Sequence, residues 1–416
     1  MKPSSGSAPL LNPEDPPGMA KQLLLTHDFP PMGGGIARWM GELARWQAPG
    51  SLAVSTGQYP GGEEADQQLP NPVDRLPVPS GRLRTIQGTL RWSKRVAALA
   101  RGLSVEFIWC GNLKPAAYPA RWTKTQTGVG YGVLLHGGDL LILRRQAQRS
   151  PLKRRTGRAL LSSASVLVGN SSWTSTLCRT VLQELGINHT EDRVRTVPLG
   201  TDPARFRPGL DQTEVRRRYG LDQRRWLLSV ARLTRHKGMD TALHVLAQVA
   251  PDYPDLAYAV VGSGAELAPL EKLSRTLGVA DRVRFLSQVP DHDLPALYNC
   301  AEVYLGLSRL MDQRVEGFGI SLVEASASGV PVVAGNSGGV PDAVRDGVTG
   351  FLVNPEHPGE AGVALRRLLD EPALALRLGA AGRHAVETYF NWDRVAAEIA
   401  SIGHEYGRLR QRAGHV

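Results

Sequence analysis

A chain of 416 residues with 42% hydrophobic content is long enough for two or three domains with sizeable cores, and too apolar to be a disordered chain. Its net charge of +10 favours polyanionic surroundings, acidic lipid or nucleic acid, but no nucleic-acid motif and no interleaved aromatic platform accompanies it. Three scattered cysteines, Cys110, Cys178 and Cys300, exclude a disulfide framework and zinc spacing and fit a reducing cytosol.

Residues 1–20 are rich in Pro, Ser and Gly, lack the apolar core of a signal peptide, and are expected to form a disordered tail. The first strand is expected at 22–26, followed by a glycine loop at 30–35 and an amphipathic helix over 36–46. Glycines at Gly33, Gly34 and Gly35 let backbone N–H groups approach a phosphate, although a strand–helix turn also uses glycine for geometry alone. Further strands are expected at 52–56, 105–110, 133–136, 165–170 and 194–198, with helical patterns between most of them. Two basic runs intervene. Arg82, Arg84, Arg91, Lys94, Arg95 and Arg101 lie on an expected helix, and Arg144, Arg145, Arg149, Lys153, Arg154, Arg155 and Arg158 crowd a second segment. They read either as a solvated face or as a surface for anionic membrane. No apolar run reaches the roughly 18 residues of a membrane-spanning helix.

Residues 198–209 break the periodicity and read as a linker. The scheme then repeats, with strands expected at 226–231, 256–262, 283–287, 302–306, 331–335 and 350–353 and helices at 239–249, 266–277 and 294–299. A helical tail is expected from 358 to about 411 with one break near 389–392. Alternating strands and helices predict α/β architecture: two Rossmann-like doubly wound domains, each a parallel sheet covered on both faces. Ligands of such sheets bind at the carboxyl ends of strands, and an interdomain cleft is expected there.

The most informative segment is EGFGISLVE at 316–324. Its Gly-Phe-Gly-Ile element reads as a helix start near Phe318, with Gly329 as the stop. The first N–H groups of such a helix hold an anion. Glu316 stands before that anion site and Glu324 beyond it, roughly 12 Å apart if the span is helical. That suits a sugar on one side of a diphosphate and a ribose on the other. Arg232 and Lys237, in VARLTRHKG after a strand, suit neutralisation of a leaving diphosphate, against the alternative of a solvated basic loop that also includes Arg235 and His236. His136 ends a strand and can hydrogen-bond a sugar hydroxyl or phosphate oxygen, or serve structure; Asp139 is expected to cap the next helix. Gly262 and Gly264 resemble another strand–turn–helix phosphate loop, or only fix the turn. In Asp291-His292-Asp293, an acidic residue is expected to cap the helix carrying Leu294 and Leu297 in preference to binding a metal. No nucleophile elbow, P-loop lysine pattern or convincing dinucleotide fingerprint occurs, which disfavours nucleophilic hydrolysis, ATP hydrolysis and hydride transfer.

With these motifs the chain resembles the family-4 retaining glycosyltransferases of the B-type fold, from about Lys21 to the last helix. The acidic pair, the downstream GNSGGVPDAVRDGVTGFLVNP, the VARLTRHKG loop and HDFPPMGGGIA carry the resemblance. Residues 308–335 look most similar to the phosphatidylinositol-mannoside mannosyltransferases, which use GDP-mannose at the cytosolic membrane surface. After the tail at 1–20, the resemblance implies an acceptor-binding domain over 21–198, a nucleotide-sugar domain over 199–388 and a terminal helix over 389–416 returning to the first domain. It implies that Glu316 binds donor-sugar hydroxyls and Glu324 the ribose, and that backbone groups of Phe318, Gly319 and Ile320 hold sugar and phosphate. Arg232 and Lys237 would stabilise the leaving diphosphate, Gly34 and Gly35 would approach it, and His136 would contact the donor. Val289 and Asp291 would lie near the base, where an Asp accepting from guanine N1–H and N2–H favours GDP.

The expected activity is retaining hexosyl transfer, mannose from GDP-mannose favoured, to a lipid-linked or glycan hydroxyl, without metal or other cofactor and without nucleic acid. The expected location is cytoplasmic, peripheral on the inner face of the plasma membrane. The alternatives are a UDP-sugar transferase of exopolysaccharide or lipopolysaccharide synthesis, a nucleotide-sugar epimerase, and a donor-binding protein without turnover.

Overall fold

The computed structural model describes residues 21–77, 82–221 and 223–413. The expected tail at 1–20 and the side chains of Arg82 and Arg84 lie outside the described residues. The chain divides into two compact units. One runs through Gly169 and adds Ser175–Val197 and the chain from Val395 onward; the other comprises Asn170–Thr174 and Pro198–Arg394.

The first unit holds β1 (Gln22–Leu25), β2 (Leu52–Gln58), β3 (Val73–Pro77), β4 (Phe107–Cys110), β5 (Gly130–Leu135), β6 (Val166–Gly169) and β7 (Val194–Thr196). They form one parallel sheet in the order β3-β2-β1-β4-β5-β6-β7. Strands buried on both faces read as unbroken apolar runs, and Leu23, Leu24, Leu25, Ile108 and Trp109 are fully buried. In this unit the amide Nε2 of Gln22 donates to the Ala400 carbonyl on the last helix, Trp392–Ala413.

β3 is the strand that periodicity does not reveal. It is the sheet edge, contains Asp74 and Arg75, and ends at Pro77. Its charges are buried by pairing: Asp74 with Arg95 and Arg75 with Asp66, both at 2.7 Å.

The second unit holds β8 (Arg225–Val230), β9 (Leu256–Val261), β10 (Val283–Leu286), β11 (Ala301–Gly306), β12 (Val332–Gly335) and β13 (Gly350–Val353), parallel in the order β10-β9-β8-β11-β12-β13. Its core is centred on Leu227, Val260, Leu243 and Val333, all fully inaccessible. The α/β class and both doubly wound sheets stand as read from the strand–helix alternation. In each sheet the order reverses beside the first strand, between β1 and β4 and between β8 and β11. Such a switch point opens a crevice at the strands' carboxyl ends.

Two helical boundaries differ from expectation. The tail over 358–411 breaks twice, because Pro372 starts a new helix, Pro372–Thr388, and forces Glu371 out of helical geometry before it. The helix of the acidic segment is Ile320–Ala327, two residues later than expected. Glu316 therefore precedes it on irregular chain, and the roughly 12 Å helical separation does not apply.

Candidate functional site

The loops leaving β8 and β11 meet at the second sheet's switch point. β8 leads into residues 231–238, with a 3-10 turn at Arg235–Lys237. β11 leads through residues 307–319 to the helix Ile320–Ala327. Their charged groups come together: the Lys237 ammonium donates to Glu316 Oε2 in a short contact, with only 16% and 19% of the two side chains exposed. This pair walls a narrow cavity with Ser229, Tyr304, Ser308, Ser321 and Leu322. Arg232 is exposed nearby in sequence and donates no hydrogen bond to any described residue.

The helix Ile320–Ala327 starts from Gly319, whose φ of +106° is left-handed; a Cβ there would also lie 2.5 Å from Leu322 Cδ1. No described carbonyl or side chain accepts from the Phe318, Gly319 or Ile320 amides. Gly319 and Ile320 are among the unsatisfied first donors of the helix, at its positive end, and Phe318 lies two residues after Glu316, the partner of the Lys237 ammonium. The Phe318 side chain is core, 1% exposed and packed on Phe390 with ring centroids 5.9 Å apart. Glu324 is buried at 2% exposure, and the Tyr298 hydroxyl donates to its Oε2 at 2.7 Å.

The segment 336–339 holds the acidic loop from behind. The Gly339 N–H donates to the Glu316 carbonyl at 2.9 Å, and a Cβ on Gly339 would lie 1.8 Å from the Gly317 carbonyl oxygen. Sequence reasoning quoted these glycines without a role; their adjacency in NSGG was the available signal. Tyr298 was also missed, since an aromatic on a buried helix reads as core.

His236 belongs to the site's foundation and not to a solvated loop. It is buried, its ring Nδ1 lies 3.1 Å from Thr234 Oγ1, and its carbonyl accepts from the Arg309 N–H. Burial first, then the Lys237 charge, push its pKa from 6.5 down to about 4; Glu316 opposes this, while Arg314 and Arg232 add to it. The imidazole is therefore neutral at neutral pH. Folding then favours the deprotonated ring, so this stability is complete above pH 6.5 and is lost as pH falls toward 4. The loss amounts to about 3 kcal/mol at most. Denaturant titrations should show that acid-dependent loss, and His236→Asn should flatten it.

Other candidates take different places. The Gly262 N–H is occupied by the Leu286 carbonyl at 2.9 Å, and a Cβ there would fall 1.9 Å from Ala231 O, so Gly262 serves the turn and offers no amide to a phosphate. Neither acidic residue of 291–293 caps the helix Leu294–Asn299 with its side chain. Asp291 binds Arg205 through its carboxylate at 2.8 Å and its carbonyl at 2.5 Å, and Asp293 accepts from Arg218 and from the Tyr219 hydroxyl. Both carboxylates thus bind cationic side chains, Asp291 at the surface and Asp293 mostly buried. Val289 is half-buried on the extended stretch before Asp291.

In the first unit, His136 directly follows β5 and its Nε2 lies 2.6 Å from the Gly111 carbonyl beyond β4, which sets Nε2 as the protonated nitrogen. Its ring packs edge-on against Trp39, with centroids 5.0 Å apart. Asp139 does not cap from outside the helix as expected. It lies within the helix Gly138–Arg149, and its Oδ1 accepts from the His136 and Leu140 N–H groups. Burial pushes its carboxyl up. Gly33, Gly34 and Gly35 are exposed and a Cβ on any of them would meet nothing within 4 Å, so close packing does not explain them.

The family described as glycosyl transferases group 1 matches residues 211–385. A GDP-mannose-dependent alpha-(1-6)-phosphatidylinositol monomannoside mannosyltransferase of Mycolicibacterium smegmatis is 31% identical over 388 residues, 91% of this chain and 97% of that protein. The monoacylated-substrate counterpart of Corynebacterium glutamicum is 28% identical over 390 residues, 92% and 97% of the two chains. Among solved structures, Anabaena HepE in complex with UDP and glucose superposes with a TM-score of 0.75 at 21% identity, covering 92% of this chain and 99% of that one. The acidic pair, the basic loop and the two doubly wound sheets thus come with full-length relatives, and the chain belongs to the group 1 glycosyltransferases, the family-4 enzymes of the B-type fold.

Proposed function

We propose that this hexosyltransferase moves mannose from GDP-mannose to a hydroxyl of a phosphatidylinositol-type glycolipid, with retention of configuration. The observation that carries the reading is the Lys237–Glu316 pair, with the unpartnered amides of Phe318–Ile320 following Glu316 directly in the chain. In the donor complex those amides and Lys237 take the diphosphate, and the released Glu316 carboxylate accepts from sugar hydroxyls. Arg232 adds a second cation. Glu324, already oriented by Tyr298, accepts from the ribose, and Val289 and Asp291 border the base. Residues 21–198 bind the acceptor, with His136, Gly34 and Gly35 reaching the donor, and 199–388 bind the nucleotide sugar. The relatives' names, which specify GDP-mannose and phosphatidylinositol mannosides, support donor and acceptor.

The acceptor oxygen forms its bond to the anomeric carbon on the face from which the diphosphate leaves. The bond from that carbon to the phosphate oxygen breaks, and the departing oxygen takes the acceptor's proton. No metal is needed, because Arg232 and Lys237 supply the positive charge. Labelled GDP-mannose, UDP-glucose and UDP-galactose, each offered with and without phosphatidylinositol-mannoside lipid, test the proposal. Lipid-dependent label from GDP-mannose is expected. Lipid-independent isomerisation of a donor would indicate an epimerase, and binding without turnover a donor-binding protein.

We further propose peripheral attachment to the cytosolic membrane surface. Among the described residues no helix is long and apolar enough to cross a membrane. Arg95 and Arg144 are paired to Asp74 and Glu184 and do not contribute. Arg91, Lys94, Arg149 and Lys153 are exposed, as are the apolar Ile86, Leu90 and Leu152 near them in sequence. Cations with neighbouring apolar groups suit an anionic interface. The protein should float with anionic vesicles, less so at high salt, and not with neutral ones; equal recovery with both would remove the membrane reading.

A further inference from the structure

Arg309 lies seven residues before Glu316 and carries no role in the reading above. Its guanidinium, 12% exposed, grips Asp240 with two bonds, Nη1 to Oδ1 at 3.0 Å and Nη2 to Oδ2 at 2.6 Å. Nη1 also donates to Thr241 Oγ1 at 2.9 Å, and Thr241 is itself anchored to the Pro355 carbonyl at 3.0 Å. The backbone N–H of Arg309 donates to the His236 carbonyl at 2.8 Å. One residue of the acidic loop thus holds the chain on both sides of Lys237, at 236 in the basic loop and at 240–241 in the first turn of the helix Met239–Val249. Beyond it, Met311 and Arg314 close a tight backbone pair, at 3.0 and 2.9 Å, that returns the chain toward Glu316. Gly339 then fixes the Glu316 carbonyl.

We propose that Arg309 and Asp240 form a positioning clamp that sets where the Lys237 ammonium stands relative to Glu316 and the Phe318–Ile320 amides, and thereby the affinity for a diphosphate. A bidentate guanidinium–carboxylate pair fixes orientation as well as distance, which suits it to holding two loops in register. Neither Arg309 nor Asp240 need touch the ligand. The inference rests on the proposed diphosphate site.

The test is calorimetric titration of the full chain with GDP and with UDP, alongside thermal melting. The variants are R309Q, D240N, K237A and K237A combined with R309Q. R309Q and D240N should each melt within a few degrees of wild type yet bind the diphosphate about 10- to 100-fold more weakly, the scale of a misplaced group. Because the clamp acts through Lys237, the double variant should bind no more weakly than K237A alone. Unchanged affinity in folded R309Q or D240N overturns the clamp. So do losses that multiply with that of K237A, and so does collapse of both variants' melting in step with binding, which marks a merely structural pair. Wild type that binds neither nucleotide removes the diphosphate site and the clamp with it; wild type that binds, with indifferent clamp variants, removes the clamp alone.

Discussion

Lys237→Ala should lower turnover by roughly 100-fold or more, about 3 kcal/mol of barrier, while the protein still folds. The chemistry places negative charge on the departing phosphate, and the ammonium is preorganised by its pair with Glu316, so little reorganisation is needed when the donor replaces that contact. The substitution also strands the Glu316 carboxylate, which is 19% exposed, at a cost of about 1–3 kcal/mol in stability. A lower melting temperature with a single cooperative transition is therefore expected beside the kinetic loss. Steady-state assays paired with circular-dichroism melts check both. Near-normal turnover in a folded variant would show that the ammonium does not act on the leaving group.

Gly339→Ala should be comparably damaging although residue 339 carries no chemistry. The added methyl would fall 1.8 Å from the Gly317 carbonyl oxygen, so backbone must move against backbone, and the Gly339–Glu316 hydrogen bond stretches or breaks. Overpacking of this kind costs about 3 kcal/mol. The shift falls on the stretch whose amides are proposed to hold the diphosphate, so turnover should also drop about 100-fold. Gly359→Ala is the control. A Cβ at Gly359, near the start of the helix Pro358–Asp370, meets nothing within 4 Å and should leave activity and melting almost unchanged. Equal behaviour of the two variants would sever the packing of 339 on 317 from function.

The strands and the acidic pair were legible because each rests on local pattern. Apolar runs such as 226–230 and 256–261 announce buried parallel strands, and the Gly-Phe-Gly turn between the carboxylates announces a helix start. Features built from long-range packing were not. β3 hides because its charges are buried by Asp66 and Arg95, which lie outside the strand. The turn role of Gly262 depends on Ala231, thirty-one residues away, and the partners of Asp291 and Asp293 lie beyond 70 positions upstream. His236 resembled a solvated basic residue because its neighbours in sequence are cations; the fold buries it and lowers its pKa to about 4. Resemblance narrowed what pattern left open, such as the choice between a donor contact and a structural role for His136.

The central claim is that a nucleotide-diphosphate sugar is held between the basic loop and the start of the helix Ile320–Ala327. A crystal structure of the protein soaked with GDP-mannose tests it most directly. Phosphate oxygens should lie within hydrogen-bonding distance of the Phe318–Ile320 amides and the Lys237 ammonium, with Glu316 turned to the mannose and Glu324 to the ribose. A donor seated away from residues 232–237 and 316–324, with the Lys237–Glu316 pair still closed, would contradict the account.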